Sequence, residues 1–289
     1  FVVADEISAD PRMPDIGLEC NSDVQLANYW AVSAGCNVAK AKWAPGALRG
    51  GPSLRNDMYA NAWMYVQTDA RKPVWISMNG NGGRNFEADS VDGGVDVGIN
   101  VQARSNIELF LGPAWFTNNN SIQYVEEAMD TAGQPHYVLA RIRQTTVAMT
   151  ARVNWTFSPK LTLQVYAQPF VANGAYSEFK DVVRPDADRY EDRFVRLDNL
   201  SLTEGLYTAT TDGGTFSFAR PDFNFRQLRS TAVLRWEYRP GSSVFAIWSH
   251  GRTSFGNDGR TMFGDDLREL GKSDSENVVM VKANYWLGF

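Results

Sequence analysis

Val91-Asp92-Gly93-Gly94-Val95-Asp96-Val97-Gly98-Ile99-Asn100-Val101-Gln102 decides the fold. Its odd positions carry Val91, Gly93, Val95, Val97, Ile99 and Val101; its even positions carry Asp92, Gly94, Asp96, Gly98, Asn100 and Gln102. Successive side chains of a strand point to opposite faces, so a strand here has one apolar face and one polar face. A helix would instead repeat its apolar residues at i, i+3, i+4 and i+7. Two architectures use such strands: a soluble sandwich with one face in its core, and a membrane barrel with apolar residues toward lipid and polar residues toward its lumen.

The same period runs along most of the chain. Leu18, Cys20, Ser22, Val24 and Leu26 oppose Glu19, Asn21, Asp23 and Gln25. Trp30, Val32, Ala34, Cys36 and Val38 share a face, as do Met58, Ala60, Ala62, Met64 and Val66. Further on the apolar sets are Ile107–Trp115, Val147–Phe157 and Leu161–Val171 at odd positions, and Leu228, Ala232, Leu234 and Trp236 at even ones. Val74–Asn79 is too short to phase, and in Ser243–Gly251 either Phe245/Ile247 or Val244/Ala246/Trp248 can serve. No Asp, Glu, Lys or Arg falls on the apolar faces. Arg or Lys facing lipid at mid-bilayer costs roughly 2–4 kcal/mol, so a barrel requires that exclusion. Strand after strand of this length with no helical segment between them favours the barrel over the sandwich.

Short connections at Ala27–Tyr29, Asp69–Lys72, Arg104–Asn106, Ser158–Lys160 and Arg239–Ser242 have the chemistry of tight turns. Longer ones fall at Ala44–Asn56, Met129–Pro135, Val183–Pro221 and Gly256–Glu276. Short turns at one end and long loops at the other is the outer-membrane arrangement, with the short turns in the periplasm. Tyr29, Trp30, Trp75, Trp155, Phe157, Trp236, Tyr238, Tyr285 and Trp286 cluster beside the short turns as an aromatic girdle. The expectation is an all-β, transmembrane antiparallel up-and-down β-barrel with eleven strands. They lie near 15–27, 30–43, 57–68, 73–86, 90–103, 106–128, 136–157, 160–182, 222–238, 242–255 and 277–289. With a periplasmic C-terminus, an odd count leaves an upward strand before Phe1, or Phe1–Ala4 as its remnant. The expectation is therefore the C-terminal portion of a barrel of about 12–16 strands in the bacterial outer membrane.

Composition is compatible with this. Of 289 residues, 44% are hydrophobic and 21% charged, and the mean hydropathy of −0.33 excludes a bundle of apolar membrane helices. A hydropathy average cancels the two faces of a barrel strand. A net charge of −5 leaves no basic footprint for nucleic acid. The start, Phe1-Val2-Val3-Ala4-Asp5-Glu6, shows no signal peptide.

Several segments carry a resemblance. They are Arg49-Gly50-Gly51-Pro52, Gln144-Thr145-Thr146, Trp155-Thr156-Phe157-Ser158-Pro159, Leu163-Gln164-Val165-Tyr166-Ala167-Gln168-Pro169-Phe170, Asp222-Phe223-Asn224-Phe225, Val233-Leu234-Arg235-Trp236-Glu237-Tyr238-Arg239-Pro240-Gly241-Ser242 and the ending Val281-Lys282 with Tyr285-Trp286-Leu287. In this order, from about residue 20 to the end, they resemble the barrel of the bacterial family called domain of unknown function 5916. The resemblance implies a barrel that often follows a β-sandwich similar to family 9 carbohydrate-binding modules, and it implies no reaction. No such sandwich is expected within these residues.

The polar faces supply the candidate lumen residues Glu19, Asp23, Asp92, Asp96, Glu108, Arg152, Arg229, Arg235, Glu237 and Lys282. They can line an aqueous path, or pair with one another across a filled interior. A turn centred on Asn28 puts Cys20 opposite Cys36, close enough for a cross-strand disulfide or for two lipid-facing thiols. Arg49-Gly50-Gly51-Pro52 reads as a tight loop rather than a phosphate nest, and Asn257-Asp258-Gly259 with Asp265-Asp266 as a solvated acidic loop rather than a calcium site. His136 and His250 lack metal-ligand spacing, so no catalytic, cofactor or metal residues are expected; His250 near Asp258 is the one hydrolase alternative. The expected partners are outer-membrane lipid, the barrel-insertion machinery acting on Phe289, a saccharide ligand, and a partner protein at the long loops, notably Val183–Pro221. The expected function is a porin-like pore or uptake channel, or an anchor for a carbohydrate-binding region. An outer-membrane enzyme acting on glycans and a surface adhesion protein are the alternatives.

Overall fold

A computed structural model describes residues 16–40, 43–56, 58–211, 214–260 and 262–287; Phe1–Ala4 and Phe289 lie outside them. In chain order the elements are β1 (Ile16–Gln25), β2 (Ala31–Lys40), β3 (Trp43–Ala44), β4 (Leu54–Arg55), β5 (Met58–Gln67), β6 (Val74–Asn85) and β7 (Ser90–Arg104). There follow β8 (Ile107–Met129), β9 (Pro135–Ser158), β10 (Leu161–Val182), a 3-10 turn (Tyr190–Arg193) and the short strands β11 (Phe194–Arg196), β12 (Leu200–Thr203), β13 (Leu206–Thr211) and β14 (Gly214–Ala219). The chain finishes with β15 (Phe223–Arg239), β16 (Ser242–Gly256), α1 (Phe263–Lys272) and β17 (Ser275–Asn284).

Eleven of these strands form one antiparallel meander, β1-β2-β5-β6-β7-β8-β9-β10-β15-β16-β17, with β11 added beside β10. Each strand pairs with its neighbour in sequence, which is the up-and-down wall of an outer-membrane barrel. The register unites the apolar faces. Val38 pairs with Ala60, Met78 with Val97, Leu109 with Val153, and Val165 with both Val153 and Ala232. Ala232 stands opposite Trp248, and Trp248 opposite Val279, which phases β16 with Val244, Ala246 and Trp248 outward. Met78 opposite Val66 likewise phases β6 with its even positions outward. Trp75 therefore stands on the inner face beside Asn100, apart from the outward Trp155, Phe157 and Trp236 of the girdle.

The uncharged outward band ends toward the long loops. On β2, β6, β9, β15 and β16 the first outward-parity charges are Lys40, Arg84, Arg143, Arg226 and Arg252, all at the end away from the short turns. A tilted strand crosses a bilayer in about 9–11 residues, whereas β8, β9 and β10 have 23, 24 and 22. About half of each projects beyond the band, a reach of roughly 35 Å at about 3.3 Å per residue.

The buried apolar clusters sit in that projecting lobe. On one face of β9, Val138 and Ala140 pack with Phe179, Phe216, Phe218 and Ala209, covered by the small sheet β12-β13-β14. On its other face Leu139 packs with Leu48 and Leu54. Among the described residues the wall itself has no such cluster, as expected of a sheet whose solvents are lipid on one side and water on the other. The long connections are therefore structured: 44–56 holds β3 and β4, 183–221 holds the 3-10 turn and β11 to β14, and 256–276 holds a ten-residue helix where a loop was expected.

Candidate functional site

The ten candidate lumen residues share the polar face of the wall, opposite its uncharged band. Glu19 faces Asn37, and Asn21 donates a 2.6 Å hydrogen bond to it. Asp23 is opposite Ser33. Asp92 accepts from the Tyr59 hydroxyl at 3.2 Å, and Asp96 from Asn79 at 3.3 Å. Glu108 accepts from Asn154 at 3.4 Å. The Arg152 guanidinium lies 5.4 Å from the Phe110 ring centre and 5.6 Å from that of Tyr166, a cation–π bracket between adjacent strands. Arg229 pairs in register with Gln168 and Gly251, and Lys282 with Phe245. Among the described residues, Arg235 and Glu237, 2.8 Å apart, are the only two of the ten that form an ion pair with each other. The register partners of the other eight are neutral, although Glu108 shares a cleft with Arg71 and Lys72. Two clefts open on this face: one of about 400 Å³ lined by Arg71, Lys72, Trp75, Asn100, Gln102 and Glu108 at the short-turn end, and one of about 230 Å³ around Arg152, Asn154, Gln164 and Tyr166.

Cys20 is directly opposite Cys36 on the outward face, and both are exposed free thiols. The Arg49-Gly50-Gly51-Pro52 loop docks onto the lobe. Arg49 adopts φ 48° and lies over the Tyr124 ring, while a side chain at Gly51 would meet the Tyr137 ring at 2.5 Å. His250 Nδ1 donates to Asn277 Oδ1, 2.9 Å away, opposite Ser230; Asp258 lies beside Asn224, six residues further along β15, so the two are not brought together.

The structure gathers two polar clusters that sequence spacing did not reveal. In the lobe, His136 Nδ1 is 2.6 Å from Asp181 Oδ2, and its Nε2 is 3.6 Å from Asp130 Oδ2. The imidazole stacks on Phe216 at 4.2 Å. Burial pushes the Asp181 carboxyl above the usual carboxylate range against the pull of the His136 hydrogen bond. Backbone N–H groups of Gln134 and Ala132, with His136, hold Asp130 below it. A cleft of about 460 Å³ beside them is lined by Leu197, Asp198, Asn199, Thr210 and Thr211. These three residues converge through the β8–β9 turn and the β9–β10 register, and no motif spacing encodes that.

The second cluster lies under α1. Asp266 expected in a solvated loop is instead buried, accepting from Arg226 Nε at 2.7 Å and from Asn173 at 3.4 Å. Asn224 donates to Asn173 and to the Arg260 carbonyl, and its own oxygen accepts from the backbone of Asp258 and Gly259. No group of three His, Cys, Asp or Glu side chains among the described residues is arranged to hold a metal ion.

An uninterrupted antiparallel meander, apolar and uncharged outside and polar inside, is the wall of an outer-membrane β-barrel. The chain belongs to the family described as Domain of unknown function (DUF5916), which it matches over residues 9–289. Among solved structures it is similar to one titled Copper transporter OprC, at 11% identity and a TM-score of 0.49, over 93% of this chain and 40% of that one. The chain thus spans about two fifths of that transporter's length. No curated protein matches.

Proposed function

We propose that the chain forms the wall of an outer-membrane channel that admits small polar solutes, with its short turns and C-terminus on the periplasmic side. One observation carries the reading: inward-facing charges of both signs that, Arg235–Glu237 excepted, stand without ionic partners among themselves. A charge sealed in a dry interior needs a partner, because the desolvation penalty of an unpaired ion is several kcal/mol. A charge facing water keeps its hydration and needs none. Glu108 and Arg152, beside open clefts, fit the second situation. Mixed sign favours passage of polar and zwitterionic solutes over strong selection for anions or cations.

Planar-bilayer recording tests this. The reading expects discrete conductance steps that change their cation-to-anion preference when Arg152 and Arg229 are replaced by Gln. A folded, inserted protein with no conductance at high load would instead favour the anchor reading, in which the barrel holds a carbohydrate-binding region at the membrane.

A further inference from the structure

We infer that α1 is a membrane-interface anchor: it lies on the lipid side of the wall and sets its Phe263–Leu267 edge into the acyl–headgroup boundary of the bilayer at the long-loop end. Position is the first argument. The side chains that tie α1 and its preceding turn to the sheet all have outward parity. Asn173 of β10 is in register with Asn224 of β15, and it lies four residues beyond the outward Pro169 and two beyond Val171, which has the same parity but is already buried. Arg226 stands two residues past outward Leu228, and Arg252 four past outward Trp248. Asn173 and Arg226 hold Asp266, Asn224 holds the Arg260 carbonyl, and Arg252 caps the Gly271 carbonyl at 2.8 Å at the helix C-terminus. The helix therefore rests outside the barrel, where the uncharged band ends.

The second argument is the chemistry of the faces of α1. Asp266 and Leu270 face the wall and are buried. Phe263 and Leu267, four residues apart and hence neighbours on one flank, are 46% and 37% exposed, and Met262 just ahead of them is 60% exposed. The other flank carries Asp265, Glu269 and Lys272, with the pairs Arg268–Asp265 and Lys272–Glu269 satisfying its charges. A short helix with an apolar edge and a charged edge, laid flat at the limit of a lipid-facing surface, has the arrangement of interfacial helices.

Continuity with the wall decides the occupant. At the short-turn end the wall brings its own interfacial aromatics, Trp155, Phe157, Trp236 and Tyr238, all exposed outward. At the other end of β10, β15 and β16 the outward positions include the polar Asn173, Asn224, Arg226, His250 and Arg252 and no large apolar side chain to match those aromatics. Asn173, Asn224 and Asp266 are at most 2% exposed beneath α1, so the helix shields that polar patch and replaces it with Phe263, Leu267 and Met262.

Site-directed spin labelling in bilayers tests the inference, which rests on the barrel reading. In a Cys20→Ser/Cys36→Ser background, F263C, L267C, E269C and M149C are labelled singly, and oxygen and nickel-chelate accessibilities are compared. The expected result is a deep lipid signature at 149, a shallow one at 263 and 267 with an oxygen-to-nickel ratio several-fold above that of 269, and aqueous behaviour at 269. Nickel access at 263 and 267 equal to that at 269, with 149 still in lipid, overturns the anchor and leaves the barrel standing. Protection of 263 and 267 from both reagents also overturns it, since the edge would then be covered by protein. Nickel access at 149 overturns the barrel reading and the anchor with it.

Discussion

Val165→Arg puts a guanidinium at the middle of the outward face Leu161–Val171, between Val153 and Ala232 on the adjacent strands. Neither neighbour can accept a hydrogen bond from it, and the water on the lumen side is across the sheet. Arg at the bilayer midplane costs roughly 2–4 kcal/mol, which is about 25- to 700-fold in the folding equilibrium. The paired control is Gln164→Arg, one residue away. Gln164 faces the cleft with Arg152, Asn154 and Tyr166, so a guanidinium there stays hydrated and changes stability by less than about 0.5 kcal/mol. Denaturant titration of vesicle-reconstituted protein, followed by tryptophan fluorescence, measures both. Equal costs for the two substitutions, or a larger cost for Gln164→Arg, would refute the assignment of faces.

Other expectations follow from particular contacts. Asp266→Ala removes one partner of the buried Arg226 ion pair and should destabilise the helical loop by about 3 kcal/mol, seen as faster proteolysis within residues 256–275; unchanged cleavage would place Arg226 in water. Burial, with Arg141 nearby, lowers Lys180 to about 8, where it sits against Tyr190 and Phe194. The unfolded chain then binds more protons between pH 8 and the ordinary lysine range, so lobe stability should rise with pH across that window. Protease resistance of residues 183–199 that falls or stays flat there, or a rise that persists in Lys180→Met, contradicts the burial. Cys20 and Cys36 are opposed in register, so mild oxidant should close one intrachain disulfide, read by mass spectrometry as the loss of two hydrogens. Two free thiols after exhaustive oxidation would argue against that register.

The wall was readable because a barrel strand writes its two environments into alternate residues. Eleven strands and their faces follow from that period, and the register of β10 with β9 and β15 joins apolar faces that were phased separately. Where both parities are apolar, as in Val244–Trp248, the period is silent, and the partner strand decides: Ala232 opposite Trp248 turns the even positions outward. The helix α1 escaped the same reading. Its signal, Phe263, Leu267 and Leu270 at i, i+4 and i+7, is only ten residues long and is diluted by Gly264, Asp265, Asp266 and Gly271. The β12–β13 hairpin had a local cue in Glu204-Gly205, both at positive φ, inside a segment read as one long loop. The charges of the polar face were accessible to sequence reasoning because each belongs to one strand's pattern. The His136–Asp130–Asp181 cluster was not, because 45 residues separate His136 from Asp181 and only the β9–β10 pairing, with its bulge near Glu178, brings them together.

A spin-label scan through Leu161–Pro169 in bilayers tests the central claim most directly. The account predicts a period of two, with oxygen accessibility high at the odd positions and deepest near Val165, and nickel-chelate accessibility high at the even positions that face the lumen. Odd positions closed to both reagents, as in the core of a soluble sandwich, or a scan without the period of two, would contradict it.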